Sequence, residues 1–553
     1  RFPSCVEMRL SLRFAKALSV IIRKNPVDRP PVLLSDEQVR SFIVNGMLVL
    51  KPEIDKSVHR DIHSLLTYSS QNESWHGNNL ISRVPLTHEV LRSPIIHGAL
   101  VSLAGPNYYL HPHRALHRST PVDEVPDDVN AKSNAPKMGQ GSTAGSGWHQ
   151  DAQSPLARAR HHLPKFLIGF YFPHDTPRAM GPTRLVPGSY LNSNPAEVED
   201  IFFPDFVEAG TFILVHFDMV HAGYPNQTER DRHMLKFVFA RTEIPNKPSW
   251  NHQSPNWITP ENKLVSSDHT PAWLYIWQWL LGTTQAKKTD AAKTNGPTGS
   301  TTASQRIMDI YSRNGPENLS EILNRLWRKK GQNKHERVLV RDRNNKPVPR
   351  DDTRGFPKRW NERAIVMEDE TYQLAAIGEE ALDPLSSLLS SEDPWLQINA
   401  VFALGEITES PKTIMSALIG LLGSKHQQVV RQVLDTLAFK TTYLTDANYQ
   451  TIKSVIKREN SDWLVPLVQR GWTAQDQIRL NAAFLLLNAT NYPRHHPQLE
   501  ELLTDLLLDK NGYAAAVAAE GLVRLGTPSS TQAAIRYLSD RRWDESINNR
   551  KAF

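Results

Sequence analysis

A histidine and a carboxylate separated by one residue stand in the segment Trp148-His149-Gln150-Asp151. Alternate residues of a β-strand point to the same face, so a strand here directs the His149 imidazole and the Asp151 carboxylate at one point. A second histidine, His221, ends the glycine-initiated apolar run GTFILVHFDMVH. Two histidines and one carboxylate on one side of a metal suit Fe(II) oxygenases, which need open positions for a co-substrate and O2. We therefore predict that His149, Asp151 and His221 are the metal ligands and catalytic residues.

An arginine after the second histidine is the candidate for binding a co-substrate. Arg232 stands at the start of the apolar run Met234–Ala240. Arginine can bind a carboxylate through two parallel hydrogen bonds, which lysine matches less well. 2-Oxoglutarate chelates iron through its 2-oxo acid end and leaves its far carboxylate for such a residue. Arg230 faces the same side of a strand and is the alternative.

Other histidines offer competing interpretations. A second His-x-Asp pattern, His216-Phe217-Asp218, lies just before His221, and we interpret it as structural or as a partner that orients a ligand. Zinc also binds two histidines and an aspartate, but it has no use for Arg232 as a co-substrate clamp, so iron is favoured. The remaining histidines of this region are expected to be surface or core residues: His161, His162, His174 and His233.

Several motifs together resemble the phytanoyl-CoA dioxygenase family over roughly residues 33–283. They are the opening LSDEQVRSFIVNGMLVL, the stretch GPNYYLHPHRALHR at 105–118, HQD at 149–151, MGPTRLVPGSY at 180–190, and His221 followed by Asn226 and Arg232. The sequence departs from the family at Tyr190, where histidine is common, at Gly223, where a serine often contacts 2-oxoglutarate, and in the long insertion Pro121–Gly147.

The resemblance implies a double-stranded β-helix, or jelly roll, and the cofactors Fe(II), 2-oxoglutarate and O2. It implies that His149, Asp151 and His221 bind iron and that Arg232 holds the C5 carboxylate of 2-oxoglutarate. Arg118 or His117 stands where the family often has a further co-substrate contact. Related halogenases carry a small residue at the position of Asp151, so hydroxylation is expected instead. The implied reaction decarboxylates 2-oxoglutarate to succinate and CO2 and oxidises a substrate.

The pattern around these residues indicates strands flanked by helices. Ser35 and Gln38 form a capping-box pattern at the start of a helix that Gly46 ends, and Met47–Leu50 follows as a strand. Short apolar runs between turn residues then favour a sandwich or barrel. The predicted strands are Phe166–Phe172, Thr183–Val186, Thr211–Val215 and Leu235–Ala240, and a tryptophan-rich helix covers Trp273–Leu281.

The second half of the chain has helical character. Apolar stripes at helical spacing occur in 374–407, Val429–Ala438, Ile478–Ala489 and Ala514–Leu525, with Asn399, Arg431, Asn481 and Val517 at equivalent positions. Helical units stacked at such periods form a solenoid, and the ALGEI ending resembles short HEAT repeats. We predict five segments: a basic extension at 1–32, the oxygenase at 33–283, a flexible linker at 284–306, a basic connector at 307–370 and HEAT-like repeats at 371–545.

Bulk properties exclude some classes of protein. The 553 residues are too many for one core, and 39% hydrophobic with 22% charged residues predicts mostly globular structure. Cys5 is the one cysteine, so neither a disulfide framework nor a cysteine zinc site exists within one chain. This fits a reducing compartment, and we expect a cytoplasmic protein without a transmembrane segment. Residues 1–24 are interpreted as an amphipathic helix, with a targeting segment as the alternative.

Three hypotheses for function follow. The first is a hydroxylase acting on a small-molecule or carrier-bound substrate, with the repeats docking a protein partner. The second is an oxygenase that modifies a protein or nucleic acid held by the repeats and the basic connector, which the net charge of +6 permits. The third is a scaffold whose oxygenase domain is inactive. The sequence leaves the substrate, the oligomeric state and the partner of the repeats open.

Overall fold

The structure is a computed structural model, and it describes residues 29–73, 78–123, 151, 162–191, 201–282, 319–330, 337–341, 347–351, 368–407, 410–464, 473–492 and 496–540. Most of the predicted basic extension, the whole linker at 284–306 and most of the Pro121–Gly147 insertion lie outside these residues. The predicted domain boundaries therefore remain predictions.

The first helix and strand of the chain form as their sequence predicts. Helix α1, Asp36–Asn45, begins at a capping box in which the Ser35 side chain accepts from the Gln38 amide and the Gln38 side chain accepts from the Ser35 amide. It ends at Gly46, whose φ of 71° is left-handed and favours glycine. Strand β1, Met47–Leu50, follows directly and pairs with a later strand of the main sheet.

Among the described residues, nine strands form the sheets of the N-terminal half. The strands after β1 are β2 Tyr109–Ser119, β3 Phe166–Tyr171, β4 Thr176–Pro177, β5 Arg184–Leu185, β6 Phe206–Val207, β7 Phe212–His216, β8 His221–Ala222 and β9 Arg232–Ala240. Five of them make an antiparallel main sheet in the order β1-β7-β3-β9-β2. The other four form separate two-stranded sheets, β4 with β6 and β5 with β8.

In addition to α1, the described part of this half has four helices between β1 and β2 in sequence and one helix after β9. They are α2 Lys56–Asn72, α3 Leu80–Arg83, α4 Thr87–Leu91, α5 Pro94–Ala104 and α6 Thr270–Leu280. Helix α6 is the predicted tryptophan-rich helix, and it buries Trp273, Trp277 and Trp279. It packs against α1, so apolar surface from both ends of this half is removed from water together.

The register of the sheet separates two sets of side chains. Directly opposed residues of antiparallel strands share a face. Lys236 is opposite Phe170, and Met234 is opposite His117, so these residues share one face with Arg232. The alternating residues of β9, including His233, point to the other face, together with Arg118 of β2 and Tyr171 of β3. We call the first of these the Arg232 face and the second the His233 face.

The C-terminal half is helical. Its helices are α7 Leu319–Arg328, α8 Asp369–Ile377, α9 Leu382–Leu388, α10 Pro394–Glu406, α11 Pro411–Leu421, α12 Gln427–Leu437, α13 Asp446–Lys457, α14 Ala474–Ala489, α15 His496–Leu507, α16 Gly512–Leu525 and α17 Pro528–Asp540. A hairpin of β10 Arg337–Arg341 and β11 Pro347–Asp351 precedes α8.

The predicted helical stripes correspond to helices that pack in series. Helices α8, α10, α12, α14 and α16 each contact the next along this row, and α11, α15 and α17 pack beside them. The buried Asn399 of α10 illustrates the packing, because its Oδ1 accepts from the Thr371 hydroxyl of α8 at 2.6 Å. This confirms a helical C-terminal region. The finer assignment to HEAT repeats stays a prediction.

The two halves are in direct contact. Phe166 of β3 packs edge-on against Phe484 of α14, with ring centroids 5.5 Å apart. The buried Lys165 ammonium lies 3.7 Å from the Asp435 carboxylate of α12. The Tyr513 hydroxyl of α16 accepts a hydrogen bond from Asn78 at 2.9 Å. The helical region therefore covers one end of the sheet rather than standing apart from it.

The basic connector is only partly described, and two cations of its helix α7 are paired. Arg325 and Lys329 contact Glu370, and Lys329 also contacts Glu368 at 3.0 Å. These cations bind the start of the helical region, which weakens the prediction that they face a nucleic acid. None of the helices that the structure describes combines the length and the apolar character needed to cross a bilayer.

Candidate active site

Asp151 is the described member of the predicted His-x-Asp pair. It is 8% exposed, and its carboxylate forms an ion pair with the ammonium group of Lys236, which is itself buried. His149 lies outside the described residues, so its position beside Asp151 remains a prediction. The partner of Asp151 comes from β9, and its side chain belongs to the Arg232 face. Asp151 therefore lies against that face of the sheet.

His221 lies in the short strand β8, which pairs with β5 through Leu185. The residue is buried, and its Nδ1 is 2.9 Å from the carbonyl oxygen of Met219. A carbonyl only accepts, so Nδ1 carries the proton and the lone pair is on Nε2. Backbone anchoring of one ring nitrogen is how proteins commonly orient a histidine that binds metal through the other.

One aromatic ring connects the two candidate ligands. The Phe170 ring lies 5.3 Å from the His221 ring, measured between centroids. Phe170 is also directly opposite Lys236 in the sheet, and Lys236 contacts Asp151. His221 and Asp151 therefore approach the same part of the Arg232 face, one from the β5–β8 sheet and the other from the chain before β3.

Arg232 is a buried cation with incomplete hydrogen bonding. It is 5% exposed, and neither its Nε nor its Nη1 has a hydrogen-bond partner among the described residues. Burial lowers its pKa to about 10, so the guanidinium still carries its charge at neutral pH. A buried charge without a counter-ion is costly, which makes this group a fitting site for an anion. The alternative clamp, Arg230, is exposed to solvent.

Asn226 shapes the loop that separates His221 from Arg232. It is fully buried, and its amide group donates to the carbonyl oxygens of Ser119 at 3.1 Å and of Arg230 at 2.6 Å. Its Oδ1 accepts from both the amide and the hydroxyl of Thr228. These bonds fix the turn that leads into β9 and so set where Arg232 enters the sheet.

The two weaker co-substrate candidates lie on opposite faces. His117 is opposite Met234 and therefore on the Arg232 face, where burial of the imidazole and the charges of Lys236 and Arg232 hold its pKa well below its usual value. Part of the residue is nevertheless exposed to solvent. Arg118 is on the His233 face and binds the Asp231 carboxylate at 2.7 Å. This placement removes Arg118 from our set of co-substrate contacts.

The second His-x-Asp pattern has a local structural role. His216 Nδ1 accepts from the Asp218 amide at 3.1 Å, and the His216 ring stacks on Tyr190 with centroids 4.2 Å apart. Tyr190, the departure from the family pattern, donates its hydroxyl to the carbonyl oxygen of Ile43 in α1. Both residues therefore tie α1 to the sheet.

Lys236 is the residue of this site that the sequence did not indicate. It interrupts the apolar run Met234–Ala240, and a lone lysine inside a buried strand is the signal that points to a paired internal charge. Arg232 and Lys236 together give the Arg232 face positive charge, which Asp151 offsets in part. The donor set can thus accept a metal cation at Asp151 and His221, and an anionic co-substrate at Arg232.

The comparisons with known proteins give one family match. The family model of phytanoyl-CoA dioxygenase matches residues 106–234. A search of curated proteins found no match.

Similar solved structures are non-haem enzymes. One is the α-ketoglutarate-dependent epimerase SnoN from nogalamycin biosynthesis, at 14% identity over 37% of this chain and 82% of that chain, with a TM-score of 0.29. Another is the carbocyclase SnoK, at 17% identity over 39% of this chain and 88% of that chain, also with a TM-score of 0.29. The monooxygenase ThoJ with nickel shows 17% identity over 43% of this chain and 92% of that chain, with a TM-score of 0.25. The match of residues 106–234 to the phytanoyl-CoA dioxygenase family makes Fe(II), 2-oxoglutarate and O2 the cofactors of this part of the chain.

Proposed function

We propose that this protein is an Fe(II)- and 2-oxoglutarate-dependent oxygenase with a double-stranded β-helix, whose iron is held by His149, Asp151 and His221. The observation that carries the proposal is Arg232. Its buried guanidinium has two unpartnered donors, as far as the described residues go, on the sheet face against which Asp151 lies. A dicarboxylate co-substrate would supply the missing counter-charge, because its far carboxylate matches the guanidinium through two hydrogen bonds.

Each described residue has a distinct task in this proposal. His221 presents Nε2 to the metal because Met219 holds its Nδ1 proton. Asp151 supplies an anionic ligand, and Lys236 fixes the orientation of that carboxylate. Arg232 binds the C5 carboxylate of 2-oxoglutarate and so sets the distance between that anchor and the metal. When bound, iron and 2-oxoglutarate supply the oxidant that removes a hydrogen from the substrate.

We further propose that the reaction is hydroxylation of a small-molecule or carrier-bound substrate. The carboxylate at Asp151 takes the coordination position that halide-transferring relatives leave open. His117 lies on the same face and reaches solvent, so it is our candidate for a contact with the co-substrate or the substrate. The helical region, interpreted as HEAT-like repeats, would dock a protein partner. The pairing of Lys329 with Glu368 and Glu370 makes a nucleic-acid substrate the less favoured alternative.

The test is turnover of 2-oxoglutarate by the full chain. Purified protein loaded anaerobically with Fe(II) should bind one equivalent of iron and, on exposure to O2, convert 2-oxoglutarate to succinate. His221→Ala and Asp151→Ala should each abolish iron retention and succinate formation. His88→Ala, a partly buried histidine of α4, is the matched control and should keep both. A wild-type protein that binds no Fe(II) would instead support the scaffold hypothesis.

A further inference from the structure

Three histidines converge on the opposite side of the main sheet from the proposed iron site. They are His63 of α2, His174 of the turn after β3, and His233 of β9. One ring nitrogen from each lies within 4.8 Å of the others. The His63 ring is 4.3 Å from the His174 ring and 5.5 Å from the His233 ring, measured between centroids. We call this group the His63 cluster.

The His63 cluster is separate from the iron ligands proposed above. His233 neighbours Arg232 in sequence but points to the other face, because it is opposite Arg118 in the register. His63 reaches the same place from a helix that covers this face. The three residues therefore come from a helix, a turn and a strand, and a ligand held by all three would join α2 to the sheet.

The imidazoles are neutral at physiological pH, as metal ligands must be. Burial, with help from nearby charges, lowers the pKa of His63 to about 4 and that of His233 to about 3, and burial also lowers the pKa of His174. His233 Nδ1 is buried and has no hydrogen-bond partner among the described residues. In the tautomer whose proton is on Nε2, which lies 3.4 Å from the Ser70 hydroxyl, Nδ1 is a buried acceptor that a cation would satisfy.

Two features of the cluster work against a cation and have to be overcome. His174 Nε2 accepts from the His233 amide at 3.0 Å, so a metal must displace this bond. Tetrahedral zinc needs nitrogen atoms about 3.3 Å apart, which requires the rings to close in. The neighbouring charge is mixed: Arg230 adds positive charge and Asp175 negative, while Arg118 is paired with Asp231.

We propose that His63, His174 and His233 form a second metal site that takes Zn²⁺ or a similar nitrogen-preferring divalent ion. Three imidazoles select such ions over Mg²⁺ and Ca²⁺, which prefer oxygen ligands. Water would complete the four-coordinate shell. The role is structural, because the ion fastens α2 to β9 directly behind the strand that carries Arg232. The site does not depend on the proposed oxygenase function.

The experiment is a zinc titration of the metal-stripped full chain, with bound zinc counted by elemental analysis after gel filtration. His63→Ala keeps a good helix former in α2 and should bind one equivalent less than wild type. His88→Ala is the matched control and should bind as much as wild type. Zinc should also raise the melting temperature of wild type and of His88→Ala. The rise should be smaller in His63→Ala, because the contribution of the His63 cluster is missing.

A separate arm keeps this result apart from the iron site. His221→Ala should lose the zinc that occupies the proposed iron site but keep the equivalent bound by the His63 cluster. The double variant with His63→Ala should then bind none. Equal zinc binding by His63→Ala and His88→Ala would overturn the proposal, whatever His221→Ala does. If His221→Ala alone fails to change zinc or iron binding, only the proposed oxygenase site is wrong.

Discussion

Lys236 holds its ammonium group against the carboxylate of Asp151, and both side chains are almost completely removed from solvent. This contact joins the chain before β3 to the centre of the main sheet. It also places a buried cation next to a residue that we propose as an iron ligand. A metal ion at Asp151 would therefore share that carboxylate with Lys236. Because either cation can neutralise the Asp151 charge, we expect the stability of the site to depend on whether metal is bound.

Replacing Lys236 should destabilise the metal-free protein more than the iron-loaded one. Lys236→Met removes the cation beside the buried Asp151 carboxylate, which should cost about 3–5 kcal/mol of the free energy of unfolding. Bound Fe(II) would compensate the same charge and reduce the loss. Anaerobic denaturant unfolding with and without Fe(II) measures both values. Lys51→Met, which breaks the exposed pair with Glu208, is the control and should change stability little in both states. Equal losses for Lys236→Met in both states would argue that Asp151 does not bind the metal.

Arg232 should determine the affinity for 2-oxoglutarate. Arg232→Gln should raise the 2-oxoglutarate concentration for half-maximal succinate formation about 100-fold. The reason is that it removes a bidentate pair of charge-assisted hydrogen bonds. Arg232→Lys should need a 2-oxoglutarate concentration between that of wild type and that of Arg232→Gln. Without co-substrate, Arg232→Gln should be at least as stable as wild type, since it removes a buried charge that no described residue neutralises. Arg230→Gln, at an exposed position, should change neither quantity. An unchanged requirement in Arg232→Gln contradicts the assignment of the clamp.

The contact between the two halves should be sensitive to Lys165. Its ammonium is buried beside Asp435 and lies 4.4 Å from the centroid of the Phe439 ring. Lys165→Met should lower the free energy of unfolding by about 3–5 kcal/mol, because it removes the cation beside the buried Asp435 carboxylate. The double variant with Asp435→Leu should recover most of that loss, because neither charge is then buried alone.

Denaturant unfolding of the full chain measures this effect. Lys457→Met, which removes an exposed ion pair with Asp505, serves as the control and should stay within about 1 kcal/mol of wild type. A Lys165→Met protein as stable as the control would show that this contact does not hold the halves together.

Asp36 should contribute acid sensitivity. Burial raises its pKa, but hydrogen bonds from Trp250, His252 and the amides of Gln253 and Ser254 outweigh burial and lower the pKa to about 2. A carboxyl group with a folded pKa below its unfolded value near 3.8 stabilises the protein above pH 4. That stabilisation, roughly 2 kcal/mol, is lost as the pH falls from about 4 to about 2.

Unfolding measured between about pH 5 and about pH 2 checks this expectation. The difference in stability between wild type and Asp36→Asn should shrink as the pH falls through that window. Asp61→Asn, whose carboxylate is 37% exposed beside Arg60, should show a constant difference from wild type. A constant difference for Asp36→Asn would mean that the carboxylate is not held by these donors.

The sequence predicts local structure well where local rules determine it. Ser35, Gln38 and Gly46 define α1, because capping and left-handed backbone are properties of neighbouring residues. Strands β3 and β7 are continuous apolar runs and were also predictable. Strand β9 begins at Arg232 rather than Leu235, since the charged and polar residues at its start hide a strand that is buried throughout. The role that we propose for Arg232 would explain why the apolar pattern breaks there.

Local sequence rules do not predict contacts between residues that are far apart in the sequence. Strand β2 was not predicted as a strand because its polar residues interrupt the apolar pattern, and some of them contact the helical region. Neither the partner of Lys236 nor the meeting of His63 with His174 and His233 follows from spacing, because each depends on which elements the tertiary fold brings together. The resemblance of short motifs singled out His221 and Arg232, and their roles at the site stay predictions.

The packing of Phe166 against Phe484 bears on how this protein can be divided. The linker predicted at 284–306 suggests two modules that could be produced separately. Truncation after residue 282 would nevertheless strip the aromatic cover from the end of β3 and leave Lys165 without Asp435. The N-terminal half expressed alone would then present an apolar surface to solvent and tend to self-associate. Sequence changes in α12 or α14 should therefore alter the solubility of the enzyme half, even though those helices carry none of its chemistry.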